Sequence, residues 1–101
     1  MWIIAAELEV NLPLSRSLKD KRSVRLRIQE RVRRTFNVSI IETDLQDRSD
    51  VLRLGVALAA AAEPVGQRTL DNIMDRIFEL TGFEAEIIGF ESFMLGDSLF
   101  N

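Results

Sequence analysis

The chain contains no histidine, no cysteine and no tyrosine, and only two prolines and one tryptophan in 101 residues. Without cysteine, neither a disulfide framework nor a thiolate metal site can form. Without histidine, no serine has the usual general base, and of the serine arrangements a Ser–Lys pair alone remains formally possible. No segment resembles a nucleophile elbow. Gly55, Gly66, Gly82, Gly89 and Gly96 are scattered and make no phosphate-cradling loop. Long apolar runs are missing as well. Met1-Trp2-Ile3-Ile4-Ala5-Ala6 has no basic flank and reaches Glu7 at once, so it reads as neither a signal peptide nor a membrane span. These absences argue against an enzyme. No catalytic residue, metal ligand or cofactor is expected, and the expected setting is the cytoplasm, which a chain without cysteine suits.

What is present is enough for one core. The length fits a single domain, and a hydrophobic fraction of 47% can fill its interior. The net charge of −3 conceals a strong segregation. From Arg16 to Arg34 there are nine basic residues and two acidic ones, a local charge of +7. The rest of the chain holds four basic and fourteen acidic residues, or −10. A polyanion would meet the local charge, not the total.

Hydropathy patterning lays out six elements. Trp2, Ile4, Ala6, Leu8, Val10 and Leu12 alternate with Glu7, Glu9 and Asn11 as in a half-buried strand, which Pro13 ends. Ser17 and Asp20 form a capping box, with aspartate in place of the usual Glu or Gln. A helix from Leu18 to about Thr35 then buries Leu18, Val24, Ile28 and Val32. Asn37 marks a turn before a β-branched strand from Val38 to Thr43, and a polar connection runs from Asp44 to Asp50. In the third strand, Leu52, Leu54, Val56 and Leu58 alternate with Arg53, Gly55, Ala57 and Ala59. Pro64 suits the first turn of a second helix with the stripe Leu70, Ile73, Met74, Ile77 and Phe78, and Gly82 suits its end. A fourth strand spans Phe83 to Met94, so the domain covers 1–94 and a tail covers 95–101. The order predicts an α+β, ferredoxin-like βαββαβ two-layer sandwich, with a four-stranded antiparallel sheet and two helices on one face.

The run Arg16-Ser17-Leu18-Lys19-Asp20-Lys21-Arg22 resembles the signature of the YlxP-like proteins, domain of unknown function family 503. The likeness continues through Phe36-Asn37-Val38-Ser39, Asp44-Leu45-Gln46-Asp47 and Leu54-Gly55-Val56-Ala57. It departs where the family loop usually carries a tryptophan, because Arg48-Ser49-Asp50 has no aromatic. The resemblance implies a ferredoxin-like, bacterial, cytoplasmic protein. Genes of that family commonly lie near those of translation initiation and ribosome maturation factors. It supplies no catalytic residues.

Three surfaces are candidate sites. Arg16, Lys19, Lys21, Arg22, Arg27, Arg33 and Arg34 are candidate contacts to ribosomal or other structured RNA, and the alternative is a solvated face in which Glu30 pairs with Arg34. Lys19, Lys21 and Arg22 oppose the helix dipole, which a bound anion or an acidic neighbour would offset. Lys21 lies about 20° from Ile28 on the helical wheel, inside the apolar stripe. Its ammonium either snorkels to water or pairs with an acid or a ligand. The cluster Glu42, Asp44, Asp47 and Asp50 lacks an EF-hand pattern and reads as a solvated or internally paired loop. RRM-type reading of bases is excluded, because the third strand, Leu52 to Ala59, has no aromatic to stack on them. The open sheet face should present Ile3, Ala5, Gly55, Ala57 and Ala59, either as a homo-oligomer interface or as a weakly hydrated monomer face. Two functions result: a non-enzymatic accessory factor touching RNA or the ribosome, or a homo-oligomeric interaction module.

Overall fold

The computed structural model describes residues 1–96; residues 97–101, most of the expected tail, lie outside them. Six elements follow one another: β1 (Trp2–Asn11), α1 (Leu18–Thr35), β2 (Ser39–Asp44), β3 (Val51–Ala60), α2 (Glu63–Thr81) and β4 (Ala85–Met94). The strands form one antiparallel sheet in the order β2-β3-β1-β4, so β2 and β4 are its edges. The predicted sandwich is present.

Alternation sets the register. Ile4 pairs with Leu58, Leu8 with Leu54 and Val10 with Leu52, so one face of the two central strands is wholly apolar. That face joins Ile28 and Val32 of α1 and Leu70, Ile73 and Ile77 of α2 in a single buried cluster. Both helices therefore cover the same side, and the opposite face stays open.

Local chemistry sets the ends. Ser17 Oγ accepts from Asp20 N–H at 3.1 Å, while Asp20 Oδ2 accepts from the Arg16 N–H, one residue ahead of the cap. Pro64 lies in the first turn of α2, and Gly82 ends that helix at φ 80°, a left-handed conformation that favours glycine. β2 begins one residue later than expected, because Val38 N–H turns back onto Phe36 O at 3.1 Å. β4 begins at Ala85 rather than Phe83, whose N–H donates to Thr81 Oγ1 in the preceding turn.

Two expected core residues are half exposed. Leu18 opens α1, about 80° round the helix from Ile28, and Phe78 is turned about 100° from Ile77.

Each edge strand carries an irregularity. In β4 the partner of Glu7 is Gly89 and that of Leu8 is Ile87, which leaves Ile88 as an extra residue. In β2, Glu42 opposes Leu54 and Asp44 opposes Arg53, so Thr43 is the extra residue there.

Candidate nucleic-acid interface

The basic helix divides into cations that hold the fold together and cations that face solvent. Lys21 belongs to the first group, which corrects both its expected RNA contact and the snorkelling alternative. It is only 2% exposed. Its Nζ donates to Leu45 O at 2.5 Å and lies 3.0 Å from Glu42 Oε2. That second contact is an ion pair, not an aligned hydrogen bond, because Glu42 Oε2 has no hydrogen-bond partner. Arg25 Nε stands 3.4 Å from the other oxygen of Glu42, and its guanidinium also donates to Gln29. Glu42 gets there because β2 turns Ile40 and Glu42 to the helix side, opposite the buried Val56 and Leu54. The pair anchors a loop whose backbone is otherwise disfavoured, since Leu45 has φ 57°.

Arg27 and Arg33 keep their charge but each spends a donor inside the molecule. Arg27 Nη2 donates to Leu80 O at 2.9 Å, near the end of α2. The last turn of α2 has no basic residue of its own, so Arg27 supplies the cation that the helix dipole favours there. Arg33 Nη2 and Gln29 Nε2 both donate to Ile40 O, at 2.7 and 3.3 Å, covering part of the outer edge of β2. Arg34 pairs with Glu30 at 2.6 Å, an exposed i,i+4 contact worth a few tenths of a kcal/mol.

Arg16, Lys19 and Arg22 form the second group. All three are exposed, and none has a carboxylate within ion-pair distance among the described residues. Arg31, not among the nominated residues, is exposed in the same way. On the wheel Lys19, Arg22 and Arg33 fall along one outer flank, with exposed Leu26 between them. That flank runs about 21 Å at 1.5 Å per residue.

The acidic loop is internally paired in part. Arg48 and Asp50 meet at 3.0 Å, and this hydrogen bond holds the Asp50 carboxyl below its usual range and the guanidinium above its own. Among the described residues, no three acidic side chains are grouped so as to hold a metal ion, and no helix is long and apolar enough to cross a membrane.

The family model described as "Protein of unknown function (DUF503)" matches residues 3–91. The chain belongs to that family. Its match reaches all six elements and takes in the whole of the basic helix, in line with the likeness read at Arg16 to Arg22. No curated protein matches the chain. The solution NMR structure of a de novo designed protein, LFR1 1 with ferredoxin fold, is similar at a TM-score of 0.61 and 16% identity. The alignment covers 97% of this chain and 91% of the design. The de novo designed protein Foldit4 is similar at a TM-score of 0.55 and 16% identity, over 93% of this chain and 98% of that one. At such identity the likeness shows the fold alone, which is ferredoxin-like. For this member of the family, any activity must be argued from its surfaces.

The open sheet face is the second such surface. Ile3 pairs with Ala59, Ala5 with Ala57, Glu7 with Gly55 and Glu9 with Arg53, so the nominated residues are neighbours on one face. A shallow groove of about 420 Å³ runs over Ala5, Ile41, Gly55, Ala57 and Gly89. Thr43 Oγ1 donates to Glu7 Oε2 at 2.7 Å, reaching across Gly55. A Cβ at residue 55 would lie 2.6 Å from Thr43 Cγ2, so glycine is what lets that bridge close. At one end of the face Arg53 is held by Glu9 at 2.9 Å and Asp44 at 3.6 Å.

Proposed function

We propose that this protein is a non-enzymatic accessory factor that contacts the sugar–phosphate backbone of structured RNA, the ribosome included, through the outer flank of α1. The carrying observation is the set Arg16, Lys19 and Arg22, exposed and without carboxylate partners among the described residues. Cations at the positive end of a helix are unfavourable unless an anion answers them, and among the described residues internal pairing there answers only Lys21. Arg33 extends the charge along the same flank of the helix, as a shape-and-backbone contact with A-form RNA requires. The non-enzymatic reading is supported by the absence of histidine, cysteine and tyrosine. A bacterial cytoplasmic setting fits both that composition and the RNA partner.

The test is a charge reversal confined to the solvent-facing group. Arg16→Glu, Lys19→Glu and Arg22→Glu together leave the contacts of Arg27 to Leu80 and of Arg33 to Ile40 in place. Cosedimentation with ribosomal subunits, and binding to a structured RNA across a salt series, should fall at least tenfold while the melt stays cooperative. For the parent, log affinity should decline with log salt at a slope of roughly −2 to −5, at about −0.7 to −0.9 per phosphate. Unchanged binding by the triple variant, or a parent indifferent to salt, would remove α1 from the reading.

The groove over Ala5, Gly55 and Ala57 favours a second reading, self-association through the open face. Ala57→Arg sets a long charged side chain at the centre of that face. If two copies meet there, light scattering should show the dimer dissociating at a protein concentration at least ten times higher. A monomeric parent, or an oligomer that ignores the substitution, would sink this reading.

A further inference from the structure

The two edges of the sheet are treated differently. On β2 the outward carbonyl of Ile40 is taken by Gln29 and Arg33. On β4, among the described residues, no side chain bonds to the main chain anywhere between Ala85 and Met94. β4 is also the longer edge, and it carries Ile87, Ile88, Phe90 and Met94 between 38% and 44% exposed. An edge of this length with apolar side chains and unoccupied N–H and C=O groups is a template for strand addition.

The neighbouring flank of α2 continues the apolar strip and gives it a charge. Met74, Asp75, Phe78, Glu84 and Ala85 line a hollow of about 300 Å³ beside the start of β4. From Glu63 to Met94 the chain holds seven acidic and two basic residues, a local charge of −5. Asp71, Asp75, Glu84, Glu86 and Glu91 have no cation within ion-pair distance among the described residues. A second copy pairing β4 with β4 would add carboxylates to carboxylates. The complementary occupant is cationic.

We infer that the β4 edge and the adjoining flank of α2 dock an extended, basic segment of a partner protein, which joins the sheet as a fifth strand. Main-chain hydrogen bonds to β4 give the affinity. Alternate side chains of the segment set the register: apolar ones against Ile87 and Phe90, and a lysine or arginine in the hollow over Phe78, between Asp75 and Glu84. The site lies on the edge of the sheet farthest from β2, so it would leave the outer flank of α1 free for RNA.

The probe is a capped decapeptide whose alternate positions, those facing the helix side, read lysine, valine, valine, valine, lysine, with threonine between them, measured by fluorescence anisotropy and by amide exchange on the whole protein. It should bind at low salt and slow exchange within 85–94 while leaving 39–44 unchanged. Replacing its lysines by glutamate should weaken binding at least tenfold, and so should proline at alternate positions, which removes main-chain donors. Ile88→Lys with Phe90→Lys should have the same effect in a protein that still melts cooperatively, since both side chains are exposed. Arg22→Glu should change nothing, which separates failure here from failure of the RNA reading. Protection of β2 or of the open face would overturn the inference, as would a proline peptide that binds equally well. Protection of 85–94 that rises with protein concentration alone would name a second copy as occupant and also overturn it.

Discussion

Glu42→Ala lowers the stability of the domain by about 3–5 kcal/mol, the cost of leaving a buried charge without its partner. Lys21 is 2% exposed and cannot turn its ammonium to water, so the loss of Glu42 leaves only the Leu45 carbonyl to hold it. Arg25 is less affected, because it is partly exposed and keeps its bond to Gln29. Lys21→Met should cost less, about 1–3 kcal/mol. In that variant Glu42 retains Arg25, and Leu45 O still accepts from the Arg48 N–H at 3.0 Å. Single domains have about 5–15 kcal/mol in hand, so either change is a large fraction of the total. Urea melts of the two single variants and of Lys21→Met with Glu42→Leu decide the matter. The double variant should recover most of what Glu42→Ala loses, because no charge then remains buried. If Glu42→Ala costs less than Lys21→Met, the ammonium reaches water by some route and the pair is not what anchors the loop.

Gly66→Val should be comparably severe, for a reason of space. Gly66 of α2 packs directly on the sheet, and a Cβ there would fall 2.1 Å from Ile4 Cδ1 and 3.2 Å from Ala60 Cβ. Ile4 is itself buried, so it cannot swing aside. The helix must lift, and that opens the contacts of Leu70 and Ile73 with the sheet. Overpacking of this kind costs about 1–3 kcal/mol. For Gly66→Ala about 1 kcal/mol returns through helix propensity; valine recovers less and adds two more methyl groups. Ile4→Val removes the clashing Cδ1, so Gly66→Ala with Ile4→Val should be more stable than the two single losses predict. Strict additivity in that cycle would place the clash elsewhere.

Most of the fold was legible because its signals are local. Alternation in β1 and β3, the Ser17–Asp20 cap, Pro64 and Gly82 each act within a few residues, and each does what its pattern implies. The bulge at Ile88 was less legible: two isoleucines in succession break the alternation without saying which strand absorbs the extra residue. The candidate site divides in the same way. The charge of α1 is visible in composition, but the commitments of Arg27 and Arg33 are to backbone carbonyls of Leu80 and Ile40, which leave no trace in side-chain identity. Lys21 did carry a signal, since it sits inside the apolar stripe. The missing half was Glu42, placed two residues after Ile40 on a strand whose alternate positions face the core. A carboxylate there and a lysine at the wheel position of Ile28 are two halves of one pair, separated by most of a helix, a turn and the first half of a strand.

Separation of charge has a further consequence, in the kinetics of approach. Nine of the thirteen cations lie between Arg16 and Arg34, while seven acids lie on α2, β4 and the turn between them. The molecule is thus an electric dipole despite its small net charge. Near a polyanion such a body rotates before it touches, turning α1 forward and the acidic side away. Steering of this kind raises association rates from about 10⁵–10⁶ toward 10⁸–10⁹ M⁻¹s⁻¹ at low ionic strength. It fades as the Debye length shrinks to about 8 Å at physiological salt. On the reading proposed above, the segregation sets how often an encounter with RNA begins in a productive orientation, while Arg16, Lys19 and Arg22 set how long it lasts.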